Sequence, residues 1–473
     1  MISTIAKKEF KEMFRDGRFR WSGAITLALL AGAFALGWQH YAEVNAQHEA
    51  ARKATREQWL KQGGKNPHSA AHYGVYAFKP KLPLSLVDRG VDPYTGVASW
   101  LEAHKQNEFK FKPAQDATAI QRLGEMTGAA VLQLLMPLLI ILLTFSAFAG
   151  EREQGTLRQL LSLGVRPAQL ALGKALGISA ALGALLVPAT VIGVGGLGLA
   201  SEHGSFAASL PRMVLMIASY LVYFLIFIGL SLGVSAAVKS SRVALVALLG
   251  LWIFNGLIVP KAASDIARRV HRSPSAVEFA QRVEHDIEKG LDGHNPAGQR
   301  NEALKQRLLK QYNVDSVEKL PVNFTGVRMQ EGEEHGNKVF DKHYFALWDI
   351  FDRQRHVHEI AAAAAPVMAV RSLSMALAGT DFAQHAHFAK SAEEYRRILN
   401  REMNMDIAHN QKADNFAYSR GNDFWAKMPE FEYEAPGLDW VLSRQKLSMA
   451  MLTVWCLAAF VAAGVGVTRL KAQ

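Results

Sequence analysis

The sequence predicts an all-α polytopic membrane protein: six transmembrane helices, an N-terminal interfacial helix and a large, mainly helical extracytoplasmic domain. Three observations predict it. The 473-residue chain contains six stretches without Asp, Glu, Lys or Arg, together 132 residues. About 18 or more uncharged apolar residues suffice for a helix to cross a bilayer. The net charge of +11 is concentrated in short connections on one side of these stretches. The two long polar segments on the other side carry helical apolar spacing. A mean hydropathy of +0.04 averages the two populations. A soluble globular enzyme is excluded, and so is a bare membrane bundle.

The first 21 residues predict an interfacial amphipathic helix. Ile2, Ile5, Ala6, Phe10, Met13 and Phe14 share one face, and Lys7, Lys8, Lys11 and Arg15 the other, with Glu9 the one intruder. The first span is expected over 22–38. It is longer than a signal-peptide core and ends in the aromatic anchor Trp38-Gln39-His40-Tyr41, so it reads as a retained helix. An extracytoplasmic segment follows over 39–128. Its middle is turn-rich, with Gly63-Gly64, Asn66-Pro67, Lys79-Pro80, Leu82-Pro83 and Asp92-Pro93, which argues for irregular chain or short strands. Helical patterns flank it at about Ala42 to Lys61 and Thr95 to Glu108. Spans two to five are expected over 129–150, 175–201, 211–238 and 243–260, with a connecting segment over 151–174. Gly173–Gly177 and Gly229–Gly233 have the small-residue spacing that lets helices approach closely. The second extracytoplasmic segment, 261–446, is long enough to be a domain. Helical patterns cover Ser275–Lys289, Gly298–Tyr312, Gly332–Ala365 and Ser391–Asn410, with a helix end before Pro366. The sixth span is expected over 447–468.

Orientation follows from charge. With the N-terminus cytoplasmic, the inner connections 1–21, 151–174, 239–242 and 469–473 hold 14 basic against 5 acidic residues. The outer segments 39–128 and 261–446 hold 12 against 9 and 26 against 27. This is the positive-inside pattern with both termini inside, so the pI near 9.5 reports topology and not nucleic acid. The single cysteine, Cys456, lies in the last span, so no disulfide is expected.

The most informative motif is Glu151-Arg-Glu-Gln-Gly-Thr-Leu-Arg-Gln-Leu-Leu-Ser-Leu-Gly-Val-Arg-Pro, ending in Gly173-Lys174. A charged start, a glycine turn and a short helix with Leu157, Leu160 and Leu161 suit a helix lying along the membrane face. Thr156 is placed to cap its first turn. The motif resembles that of permease subunits of type-2 ABC transporters, in which a Glu-x-Glu-x-Gly-Thr-Leu segment and a Gly-Lys pair join the second and third spans. The matching positions are Glu151, Glu153, Gly155, Thr156, Leu157, Gly173 and Lys174, whereas Leu163-Gly-Val-Arg166-Pro167 departs from the usual Pro-Val-Ser-Arg. His72–Pro80, Asp92–Gly96, Leu101–His104 and Ala378–Phe382 resemble a bacterial subfamily of these permeases with two enlarged outer loops.

The resemblance implies a non-catalytic permease in the bacterial inner membrane, exporting a substrate. Two copies of a separate ABC ATPase would handle ATP and Mg and press on Glu151, Glu153, Gly155, Thr156, Leu157, Leu160 and Leu161. A homodimer, or a heterodimer with a related permease, would line the path. The alternative is a mechanical transmitter that moves a periplasmic protein partner without cargo; spans free of charge offer no ion path. The chain itself carries no nucleotide site: a phosphate loop needs Gly at 168 and Ser or Thr at 175, and both are Ala. No cofactor or metal site is expected. His356-x-His358-Glu359 and His385-x-His387 are tempting, but a zinc-protease motif would need His at Ala362, and residues two apart on a helix do not face each other. His72 and Tyr76 read as polar anchors between the two outer segments.

Overall fold

The computed structural model describes residues 1–110, 112–116, 126–200, 205–291, 295–411 and 418–470. Its principal helices are α1 (Ile2–Arg15), α2 (Gly17–Leu60) and α3 (Pro67–Tyr73), then α4 (Gly128–Glu153), α5 (Thr156–Ser162), α6 (Pro167–Ala200), α7 (Ser205–Ala237) and α8 (Ser241–Val270). The remainder are α9 (Ala276–Lys289), α10 (Ala297–Tyr312), α11 (Phe324–Ala361), α12 (Pro366–Ala378), α13 (Phe382–Asn410) and α14 (Lys446–Thr468). α2, α4, α6, α7, α8 and α14 are long and apolar enough to cross a membrane. The fold is that of an all-α polytopic membrane protein.

The first helix breaks at Asp16, not Trp21. Asp16 is extended, and its carboxylate accepts the Arg18 amide at 2.8 Å, starting α2. α1 lies on the glycine stripe of α6. A Cβ at Gly173 would stand 2.6 Å from the Ile5 side chain, and one at Gly177 2.6 Å from the Ala6 carbonyl. Gly229 and Gly233 admit Ala459 and Ala463 of α14 in the same way. α2 is 44 residues long, joining the first expected span and the helical pattern after Ala42 into one rod.

Inside the bundle, Pro137 has no N–H to give the carbonyl four residues back. Tyr223 of α7 donates its hydroxyl to that carbonyl, Gln133 O, at 3.0 Å, and Trp252 of α8 donates to Leu134 O at 2.8 Å. A π-turn over Val131–Leu135 marks the same place.

The large polar domain is assembled from both long segments. Trp59 at the tip of α2 donates to the Trp425 carbonyl at 3.0 Å, and Trp425 donates to Gly63 O at 2.9 Å. Around them a second core gathers Ala70, Val75, Leu101, Phe388, Leu399 and Met403. The helix expected from Thr95 to Glu108 is instead β2 (Ala98–Leu101), antiparallel to β1 (Val75–Phe78) with Tyr76 opposite Trp100. The two rings meet edge to face at 4.6 Å, a cross-strand gain that a four-residue helical turn could not match. The second segment holds its four expected helices, two of them longer at their N-terminal ends. α11 begins at Phe324 and α13 at Phe382, capped by Asn323 and Asp381.

Between them lies α12, which the sequence reading lacked. Ten of its 13 residues are buried, and it packs against α7 and α14. Asn255 of α8 accepts the Val367 amide at 3.1 Å, and Ser374 donates to Asp88 at 2.5 Å while meeting Tyr220 at 2.9 Å. The strip Pro83–Leu86 is buried beside it. α12 is therefore a wedge of the polar domain seated in the bundle.

Candidate coupling site

At the end of the bundle opposite the large domain, the segment 151–174 meets three other elements. α4 is interrupted at 145–148, which frees two amides. The buried Ser235 hydroxyl of α7 accepts from Phe148 N at 3.0 Å and Ala149 N at 3.1 Å, and donates to Phe145 O at 2.7 Å. Arg152 donates to Ala236 O at 2.9 Å and to Val238 O, carbonyls that the end of α7 leaves without intrahelical donors. Glu153 accepts the Ser241 amide at 2.8 Å and its hydroxyl at 2.7 Å, at the start of α8.

Glu151 turns the other way. Lys174 of α6 is only 2% exposed and donates to Glu151 and to Glu9 of α1, both at 2.8 Å. Lys8 stands 3.5 Å from each of the same carboxylates. One buried cation is thus held by two acids from different elements. Glu9, the acidic intruder on the basic face of α1, was the legible sign of this contact.

Gly155 carries φ +75 and starts α5 from the left-handed region; a Cβ there would meet nothing within 4 Å, so its constraint is conformational. Thr156 does not cap the first turn as expected. Gly155 holds that position, and the Thr156 hydroxyl donates back to Glu151 O at 3.1 Å. Leu157 is buried, and Leu160 and Leu161 pack against the bundle core, so the apolar ridge faces the spans. The opposite face shows Gln154, Arg158, Gln159 and Ser162 to solvent. Leu163, 78% exposed at the end of α5, is an apolar knob that sequence reasoning did not single out.

The segment is thus bonded to α1, α7 and α8 at once. The family described as ABC-2 family transporter protein matches residues 3–285. The chain belongs to that family. A domain of unknown function, DUF3526, matches residues 276–434, the greater part of the second polar segment. The chain is also similar to a "Probable ABC transporter permease protein NosY" of Pseudomonas aeruginosa, 34% identical over 146 residues. That match covers 30% of this chain and 52% of the relative, so the chain spans about half the length of the curated relative it matches. This ABC-2 family member is a multi-pass membrane protein, with six helices long and apolar enough to cross a bilayer.

Among the described residues, the histidine pairs that stood out in the sequence join no cluster of metal-ligating side chains. His356 Nδ1 pairs with Glu359 at 3.3 Å, His385 is buried between Phe109 and Phe382, and His387 meets the Tyr433 hydroxyl at 3.0 Å. His72 and Tyr76 do not act as a pair either, since Gly74 at φ +63 separates the end of α3 from β1. A different set, His68, His72 and His104, does converge, with ligand atoms all within 4.8 Å of one another.

Proposed function

We propose that this permease couples ATP hydrolysis on two copies of a separate ABC ATPase to export of a substrate across the bacterial inner membrane. Both termini and the segment 151–174 are cytoplasmic in this reading, and the polar domain is periplasmic. Two permeases, identical or related, line the path. The observation that carries the proposal is the attachment of segment 151–174 to α1, α7 and α8 through Lys174, Arg152 and Glu153. Gln154, Arg158, Gln159, Ser162 and Leu163 form the face offered to the ATPase; Leu157, Leu160 and Leu161 transmit its motion inward. The basic excess on the same connections supports the orientation. No cofactor bound by this chain enters the proposal; ATP and Mg belong to the partner.

The double variant Glu153→Lys/Gly155→Val tests it. Glu153→Lys removes the carboxylate that accepts the Ser241 amide and hydroxyl at the start of α8, and Gly155→Val is strained at φ +75. The variant is expected to insert and fold but to lose ATPase binding or hydrolysis-linked activity. Wild-type assembly, ATPase stimulation and cellular activity would reduce the segment to a chain reversal.

A second reading, force transmission to a periplasmic protein partner without cargo, is favoured by α12, which fixes the polar domain in the bundle. ATPase stimulated only by such a partner, with no movement into sealed vesicles, selects it over transport.

A further inference from the structure

The converging histidines come from two places in the sequence and are organised from a third. Asn66 accepts the His68 amide at 2.9 Å and Pro67 opens the helix, so α3 starts where His68 and His72, four apart, share a face. Their Nε2 atoms lie 3.3 Å apart. Two nitrogens each about 2.0–2.1 Å from a tetrahedral ion lie about 3.3–3.4 Å apart. His104 follows β2, and its loop is tied to α3 by the Ala103 amide donating to Ala71 O at 3.2 Å. Its ring centroid is 4.8 Å from that of His72 and 5.1 Å from that of His68.

The backbone of His104 is left-handed, at φ +69, an uncommon conformation for a residue other than glycine. Glu333 of α11 holds it there. One oxygen, Oε1, accepts both the His104 amide and its ring Nδ1–H, each at 2.7 Å. With Nδ1 as the donor, His104 Nε2 keeps its lone pair for a ligand, the arrangement by which a carboxylate orients a metal-binding imidazole. The other Glu333 oxygen accepts from Arg396 at 3.2 Å and Asn400 at 3.3 Å, and Arg396 is itself buried. Burial would raise the Glu333 pKa, but the His104 hydrogen bond and the Arg396 charge outweigh it and keep the carboxylate ionised.

We propose that His68, His72 and His104 bind one divalent late transition ion, zinc or copper, with Glu333 as the positioning carboxylate. Three imidazole nitrogens suit these ions and not calcium or magnesium, which take oxygen. The third ring needs to close by less than about 1.5 Å to reach the separation set by a tetrahedral ion. His68 Nδ1 is buried and makes no hydrogen bond among the described residues. His72 and His104 are exposed, which gives an ion a way in and leaves its fourth position open to solvent.

The test uses the full, untagged chain in detergent, equilibrated with ZnCl2 or CuCl2, desalted and assayed by elemental mass spectrometry. One ion per chain is expected, with Cu2+ showing nitrogen splitting in its electron paramagnetic resonance spectrum. His72→Gln, at an exposed ring, should lose the ion while melting like the metal-free wild type. Glu333→Gln should weaken binding about 10–100-fold. His356→Gln/His358→Gln should bind as wild type does. Retention of only one of the two ions would assign the site to that ion. Substoichiometric binding of both ions, or full occupancy in His72→Gln, would overturn the proposal.

Discussion

The two ends of this ABC-2 permease use inverted charge arrangements. At the coupling segment one lysine, Lys174, is shared by two acids, Glu9 and Glu151. In the polar domain one acid, Asp92, is shared by two lysines, Lys79 at 2.7 Å and Lys81 at 2.6 Å. The outer triad is sealed, with no side chain more than 8% exposed. The inner one is partly open: Glu9 and Glu151 keep 12% and 14%, and the attendant Lys8 keeps 48%. A sealed ionic group is costly to open, because each freed charge is stranded away from water. A partly open one can exchange partners with water and with Lys8. The difference separates a group whose charges are locked together from one whose acids have a second cation and water within reach.

The sharpest way to break this comparison is Asp92→Asn. It leaves two buried ammonium groups without a counter-charge and is expected to cost about 3–5 kcal/mol. Thermal unfolding in detergent measures it, and Lys79→Met/Lys81→Met added to Asp92→Asn should recover much of the loss. Lys174→Met should cost less, about 1–3 kcal/mol, because Glu9 and Glu151 can reach Lys8 and water. Equal losses for the two variants would show that the inner junction is sealed as well.

Acid should act on the polar domain through His68. Its folded pKa of about 4 lies below the ordinary 6.5, so the unfolded chain binds the extra proton. This contribution is complete above pH 6.5 and is lost as pH falls toward 4. Unfolding midpoints measured across that window should fall more steeply for the wild type than for His68→Asn. The smallest stability effect is expected from Gly155→Ala. The left-handed turn costs it about 1 kcal/mol, with no steric contact to add. Its ATPase coupling should survive better than that of Gly155→Val.

What was legible in the sequence follows the same division. Charge-free runs mark six helices because exclusion of charge is a local property of each run. α12 escaped because its 13 residues are too short to span and contain Arg371, although ten of them are buried. The full length of α2 escaped because apolar and charged halves read as separate elements, while the backbone continues through Tyr41 without a breaker. At the coupling segment the glycine turn and leucine ridge were readable from spacing. The Ser235, Ser241 and Lys174 contacts were not, since they join residues at least 23 positions apart. The histidine trio shows the same limit: four-residue spacing pairs His68 with His72, but only the fold brings His104 and Glu333 to them.

The unbroken α2 has a mechanical consequence. At 1.5 Å per residue its 44 residues extend about 65 Å, roughly twice the hydrocarbon thickness of a bilayer. Its base follows directly on α1, and its far end holds Trp59 against Trp425. Half of the rod's 44 residues lie up to Trp38, the end of the first expected span, and half lie beyond it, toward the polar domain. A tilt of about 5° at the base sweeps the tryptophan end through roughly 5 Å, about one helical turn. The length of α2 thus turns any small rotation of its base into a larger displacement of the tip.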